Sequence, residues 1–304
     1  MTASGGGGGE GSVFEELRDR TQQAVESGHL AEAAALAEEA LGWARHQGSQ
    51  NQIDQAICNR AAISIALGQG EAELPGLRKI LMRAGSPANS WLAAYNIAVY
   101  YFYAKLFKKS LFYARIARDR AKFLGVREWL ASSHNQLGGA LLSVSRIREA
   151  SAEYEHALDL MPPERSLRRA LVCDNLGYCR ILQGRIEEGY ALHYECQAVL
   201  RRCGAKHYQV VPRLHLCYAH LETGRYRHAL RHGAAALELA LESGFAEGAK
   251  NALYLLGEAS ILSGDSPAAH AYFTRLQQEF FPSANYLPSF LLTVDVRKLI
   301  NLHA

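Results

Sequence analysis

Apolar and polar positions along the chain follow the three-to-four-residue rhythm of amphipathic helices, and that rhythm breaks at regular intervals. The breaks fall at Gly28, Gly68, Lys105, Ser145, Gly184, Gly224 and Gly264. Most follow an apolar stretch and precede a phrase such as HLAEA, LFKKS, RIREA, RIEEG, RYRHA or DSPAA. Successive separations are 40, 37, 40, 39, 40 and 40 residues. Each interval holds two helices, and one hairpin of that size cannot bury its apolar stripe alone, so the units are expected to stack.

Small residues recur at fixed offsets from each break. Gly138, Gly177 and Gly257 form one column, each after a leucine. Ala33, Ala150, Ala229 and Ala269 form a second, and Ala40, Ala117, Ala157 and Ala236 a third. Where two helices cross closely, a larger side chain would overpack the crossing. Leu-Gly, then a turn residue, then Ala and Ala at these offsets resembles the tetratricopeptide repeat, most clearly in NQLGGALLSVSRIREASAEYEHALDLMP and NLGYCRILQGRIEEG. The resemblance covers roughly Val13 to Pro282. The usual period is about 34 residues; this spacing resembles the long-repeat members, with helices extended by about a turn.

The resemblance implies an all-α, right-handed α-solenoid of seven hairpins, in approximate units 13–50, 51–88, 89–126, 127–163, 164–204, 205–244 and 245–282. Residues 1–12 read as a flexible Gly-rich tail, and 283–304 as one capping helix over the last hairpin. The second unit is degenerate: EAELPGLRKILMRAG carries Pro75, and its second helix is expected to be short or displaced.

Composition narrows the function. The net charge is +3, from 33 Lys and Arg against 30 Asp and Glu, which disfavours nucleic acid as a partner. Between Lys105 and Arg127, however, eight basic residues face one acid, Asp119. They are expected to be solvated second-helix residues without the aromatic interleaving of a base-stacking surface. The six cysteines form no CxxC pair, and no stretch reads as a secretory signal or membrane span, so a cytoplasmic protein is expected. His228 and His232, four apart, are expected on the surface. Phosphate-loop, nucleophile-elbow, Rossmann and zinc-protease motifs are absent, and neither catalysis nor a cofactor is expected.

The remaining candidate chemistry is a polar column. Asn59, Asn96, Gln136 and Asn175 precede the Leu-Gly pair or its equivalent in four consecutive units, and His215 follows in the next. A carboxamide matches both the C=O and the N–H of a peptide bond. In the tetratricopeptide family, Asn at this position resembles a peptide-backbone clamp; solvation of an open groove explains the same residues equally well. Tyr95, Tyr178 and Tyr218 adjoin the column. Leu92, Leu171 and Val211 stand where a charged clamp for a C-terminal carboxylate would sit. The expected function is therefore a protein–protein interaction adaptor holding a partner segment in its concave groove. The alternative is a regulator that responds to a signalling peptide or nucleic acid.

Overall fold

A computed structural model describes residues 10–27, 29–83, 85–204, 207–297 and 302. Fifteen α-helices and two short 3-10 turns, with no strand, form the regular structure among the described residues. The chain divides into two compact units, Met1–Ala140 and Leu141–Ala304.

The first unit contains α1 (Glu10–Glu26), α2 (Leu30–Gln47), α3 (Gln50–Ala66), α4 (Leu74–Met82), α5 (Pro87–Tyr103) and α6 (Phe107–Leu124), and most of α7 (Arg127–Ser143). Glu10, Gly11 and Ser12, expected in the tail, begin α1; residues 1–9 lie outside the described residues. Ser49 starts α3 with a capping box: its hydroxyl accepts from the Gln52 amide while Oε1 of Gln52 accepts from the Ser49 amide at 2.8 Å. The degenerate second hairpin has the expected short second helix. α4 has nine residues and follows a 3-10 turn at Gly70–Glu73, with Pro75 in its first turn, where a missing N–H costs nothing.

The second unit contains α8 (Ile147–Leu160), α9 (Leu167–Leu182), α10 (Ile186–Arg202), α11 (Val210–Glu222), α12 (Tyr226–Glu242), α13 (Ala246–Leu262), α14 (Ser266–Phe280) and α15 (Leu287–Thr293). Its largest core cluster joins α11 to α15, with Leu253, Leu256 and Phe273 buried at the centre and Leu291 of α15 against them.

One turn recurs along the chain. Six of the seven predicted turn residues are described, and all six have positive φ, from 56° at Lys105 to 85° at Gly264. Gly28, the seventh, lies outside the described residues. The next residue in each case returns its N–H to the carbonyl five positions back: Gln69 to Ser64, Leu106 to Tyr101, Arg146 to Leu141, Arg185 to Arg180, Arg225 to His220 and Asp265 to Ser260, at 2.8–2.9 Å. His29 makes the same bond to Ala24. This is the Schellman closure, which satisfies the last carbonyls of one helix while the left-handed residue reverses the chain into the next.

The alanine columns lie in the core as expected, from Ala33 to Ala269 and from Ala40 to Ala236. In the glycine column, a Cβ on Gly257 would stand 2.2 Å from the Phe273 ring, so only hydrogen fits between α13 and α14.

The C-terminal expectation needs correction. Instead of one helix over 283–304, α15 ends at Thr293 and Val294 is extended, with φ −121° and ψ 118°. The run Thr293-Val294-Asp295-Val296 is rich in β-branched residues, and Val296 and Leu302 pack on the α11–α15 core.

Candidate functional site

The column predicted from sequence is divided by the fold into residues with different surroundings. In the first unit Asn96 is buried, 2% exposed, and its side-chain amide donates to the Cys58 carbonyl at 2.7 Å. Seven residues earlier, Asn89 donates to the backbone and side-chain oxygens of Asn51 at 2.8 and 2.9 Å. Trp91 continues the pattern, stacking on Trp129 at 4.4 Å and donating its indole N–H to Ser133. These contacts stitch α3 to α5 and α5 to α7. Asn96 thus bridges neighbouring first helices through its side-chain amide, a contact that the polar-column expectation did not include. Asn59, Tyr95 and Gln136 are half-buried, and Nε2 of Gln136 is a buried donor without a hydrogen-bond partner.

In the second unit Asn175 and Tyr218 are half-buried, whereas His215 and Tyr178 are each 1% exposed and stack at 4.4 Å. His215 is buried because it pairs with Asp174, one residue before Asn175. Nδ1 of His215 donates to Asp174 Oδ2 at 2.8 Å, and Nδ1 of His193 donates to Oδ1 at 2.6 Å. Burial alone would raise the Asp174 carboxyl, but His215 and His193 hold it well below the ordinary carboxylate range. Burial pushes His215 the other way, toward the neutral form that this arrangement uses.

Among the described residues these three form the one group of metal-capable side chains that converges. Their facing nitrogens are already spent on the two carboxylate oxygens, and the group joins α9, α10 and α11 with no exposed edge. Sequence reading passed over Asp174 and His193. The available signal was a carboxylate inside the apolar run LVCDNLG, which needs a buried partner.

One histidine of α12 differs from expectation, while His228 is exposed as expected. His232 is buried and stacks on His220 at 5.3 Å, with His228 5.2 Å from the same ring. The His220 nitrogens lie 3.0 Å from the Tyr190 hydroxyl and 3.2 Å from that of Tyr194.

Arg297 and Leu302, close to the C-terminus, lie against α9, α11 and α13. Arg297 lies 3.8 Å from Glu222 on α11 and 3.7 Å from Glu258 on α13, and pairs with Asp295 at 2.7 Å. The Leu302 backbone meets the Tyr178 hydroxyl, and its carbonyl accepts from Asn251 at 3.4 Å. Two of the predicted binding tyrosines are thus engaged by this segment, Tyr178 directly and Tyr218 through the field of Arg297. Burial raises Glu258 to about 7, against the opposing charge of Arg297.

The basic segment corrects a further expectation. Its cations do lie mostly on a second helix, α6, but they are interleaved with exposed aromatics: Phe112 is 59% and Phe123 79% exposed.

No protein-family model matches the chain, and no curated protein matches it by sequence. Solved structures do. The apo form of the quorum sensor NprR from B. thuringiensis is 17% identical with a TM-score of 0.70, over 93% of this chain and 81% of that one. NprR in complex with its cognate peptide NprX is 16% identical with a TM-score of 0.70, over 92% and 82%. A signal transduction ATPase with a tetratricopeptide repeat sensor, from Pyrococcus horikoshii, is 13% identical with a TM-score of 0.69, over 94% of this chain and 44% of that longer one. The fold is of the tetratricopeptide type. Among the described residues no helix of this tetratricopeptide-type chain is long and apolar enough to cross a membrane.

Proposed function

We propose that this protein is an interaction module whose second unit receives a segment of a partner protein against α9, α11 and α13. The observation that carries this reading is the seating of the chain's own C-terminal residues there. Arg297 stands between Glu222 and Glu258, Val296 is buried, and the Leu302 backbone lies against Tyr178 and Asn251. A surface that accepts one segment by two carboxylates, a tyrosine hydroxyl and apolar contacts recognises a second of the same character: a basic residue flanked by aliphatic ones. The C-terminal segment then acts as a displaceable occupant, and the partner's apparent affinity is lowered by the fraction of molecules in which the surface is covered.

A second reading, a regulator responding to a signalling peptide, draws on one observation: the similar fold of NprR has been captured with its cognate peptide. The two readings share a surface and differ in whether the occupant is a protein segment or a free peptide.

The test uses a labelled peptide of residues 294–304 and the full chain with Arg297→Glu, which loosens the resident segment. The peptide is expected to bind the R297E chain more tightly than the parent chain, and Glu258→Gln in that background to weaken it. Failure to bind either chain, with helical circular dichroism unchanged, would overturn the reading.

A further inference from the structure

In the first unit, α4, α5 and α6 form an open surface pocket of about 400 Å³ lined by Arg78, Tyr101, Lys108, Lys109, Phe112 and Tyr113. We propose that this pocket is a second binding site, independent of the C-terminal surface, and that it takes an acidic peptide segment presenting an apolar side chain between carboxylates.

The lining holds three cations and no acid, and none of the three is paired with a carboxylate among the described residues. Arg78 instead donates to the Tyr101 hydroxyl, a neutral acceptor that leaves its charge uncompensated. Lys109 stands over the Tyr101 ring at 5.3 Å, held by the ring's negative face. The aromatic walls are organised: Tyr101 and Tyr113 stack at 5.7 Å, and Phe112 meets Tyr113 edge-on at 5.2 Å. Phe112 nevertheless keeps more than half of its surface in water, as does Phe123, which stands eleven residues further on. That interval is about three helical turns, so both rings project from one face of α6. Exposed aromatic rings beside unpaired cations mark a surface that gains by being covered.

The occupant follows from charge and size. Carboxylates meet Arg78, Lys108 and Lys109, and an apolar side chain fills the aromatic walls, which a polyanion of uniform charge leaves unused. A nucleic-acid backbone running along α6 would cross the exposed Asp119, which lies between the two phenylalanines on the same face. A peptide can end or turn before it.

The probe is a fluorescein-labelled ten-residue peptide of Glu and Asp with one central Phe, read by anisotropy against the full chain. Three comparators are the same peptide with Gly for Phe, an oligouridylate, and phosphatidylserine vesicles. Lys108→Glu with Lys109→Glu is expected to weaken the peptide at least about tenfold and to abolish its salt dependence. Phe112→Ala is expected to weaken it by about five- to tenfold with the salt dependence retained. Lys122→Glu, on the same helix outside the pocket, is expected to leave binding within about twofold. All four positions are exposed, so the variants keep their fold. Equal binding by the parent and charge-reversed chains, no binding of the peptide, or tighter binding of oligouridylate or vesicles would overturn the proposal. Arg297→Glu is expected to leave this peptide unaffected, which separates the result from that at the C-terminal surface.

Discussion

The side-chain amide of Asn96 donates to the carbonyl oxygen of Cys58 at 2.7 Å, joining two residues 38 apart in sequence across the α3–α5 interface. Both ends are buried, so removing the donor leaves an enclosed gap and a less satisfied carbonyl. Asn96→Ala is expected to destabilise the first unit by about 1–3 kcal/mol, seen as a lower urea midpoint. It is also expected to leave binding at either proposed surface unchanged while the protein is folded; anisotropy with the two peptides checks that half.

Gly257 faces the Phe273 ring so closely that an added methyl group has no room, because the obstructing atoms belong to a rigid, buried ring. Gly257→Ala is therefore expected to destabilise the second unit by about 1–3 kcal/mol despite its better helix propensity. Thermal unfolding of the variant beside the parent measures it, and an increase in stability would contradict the close α13–α14 contact.

Lys105 and Ser145 are the two described non-glycine residues with positive φ, at 56° and 60°. Their repeat equivalents, Gly68, Gly184, Gly224 and Gly264, avoid the Cβ penalty of that conformation. Lys105→Gly and Ser145→Gly are each expected to stabilise by about 0.5–1 kcal/mol, the penalty relieved less the extra freedom of the unfolded chain. Chemical denaturation of the single and double variants tests both the sign and their additivity.

Burial, with the charges of His232, His228 and nearby arginines, holds His220 at about 4. His232 is also held at about 4, by burial and by Arg231, Arg213 and His228. The unfolded chain takes these protons near the ordinary 6.5 while the fold still refuses them. Their contribution to stability is thus complete above that pH and lost as pH falls from it toward 4. Glu258 has the opposite sign: the fold keeps its proton to about 7 whereas the ordinary value is 4.5, so stability drops as pH rises between them. Denaturation midpoints at pH 5, 6, 7 and 8 are expected to flatten on the acid side in His232→Gln and on the neutral side in Glu258→Gln.

What was legible in the sequence was what is local. The turn residues announce themselves because a left-handed position followed by a helix start is written within six residues, and even Lys105 and Ser145 were identifiable from the phrases after them. The alanine columns were legible because burial between helices leaves no room for alternatives. The fate of Asn96 and His215 was not, since it depends on the Cys58 carbonyl and the Asp174 carboxylate that the fold brings up from the preceding hairpin. The C-terminal segment was misread for the same reason: Arg297 is an ordinary helix former until Glu222 and Glu258 are beside it. Counting charge from Lys105 to Arg127 likewise missed Phe112 and Phe123, whose exposure is decided by which face of α6 the neighbouring helices cover.

The two hydrogen-bonded pairings between α3 and α5, Asn89 with Asn51 and Asn96 with Cys58, carry a mechanical consequence. Asn51 and Cys58 on one helix, and Asn89 and Asn96 on the other, are each seven residues apart, close to two full turns. Sliding either helix by one residue swings its polar groups about 100° around the axis and breaks both pairings together. The pair is therefore an axial latch. Under load, α3 and α5 move as one piece, and any lengthening of the first unit has to be taken up at its other helix contacts before this interface slips.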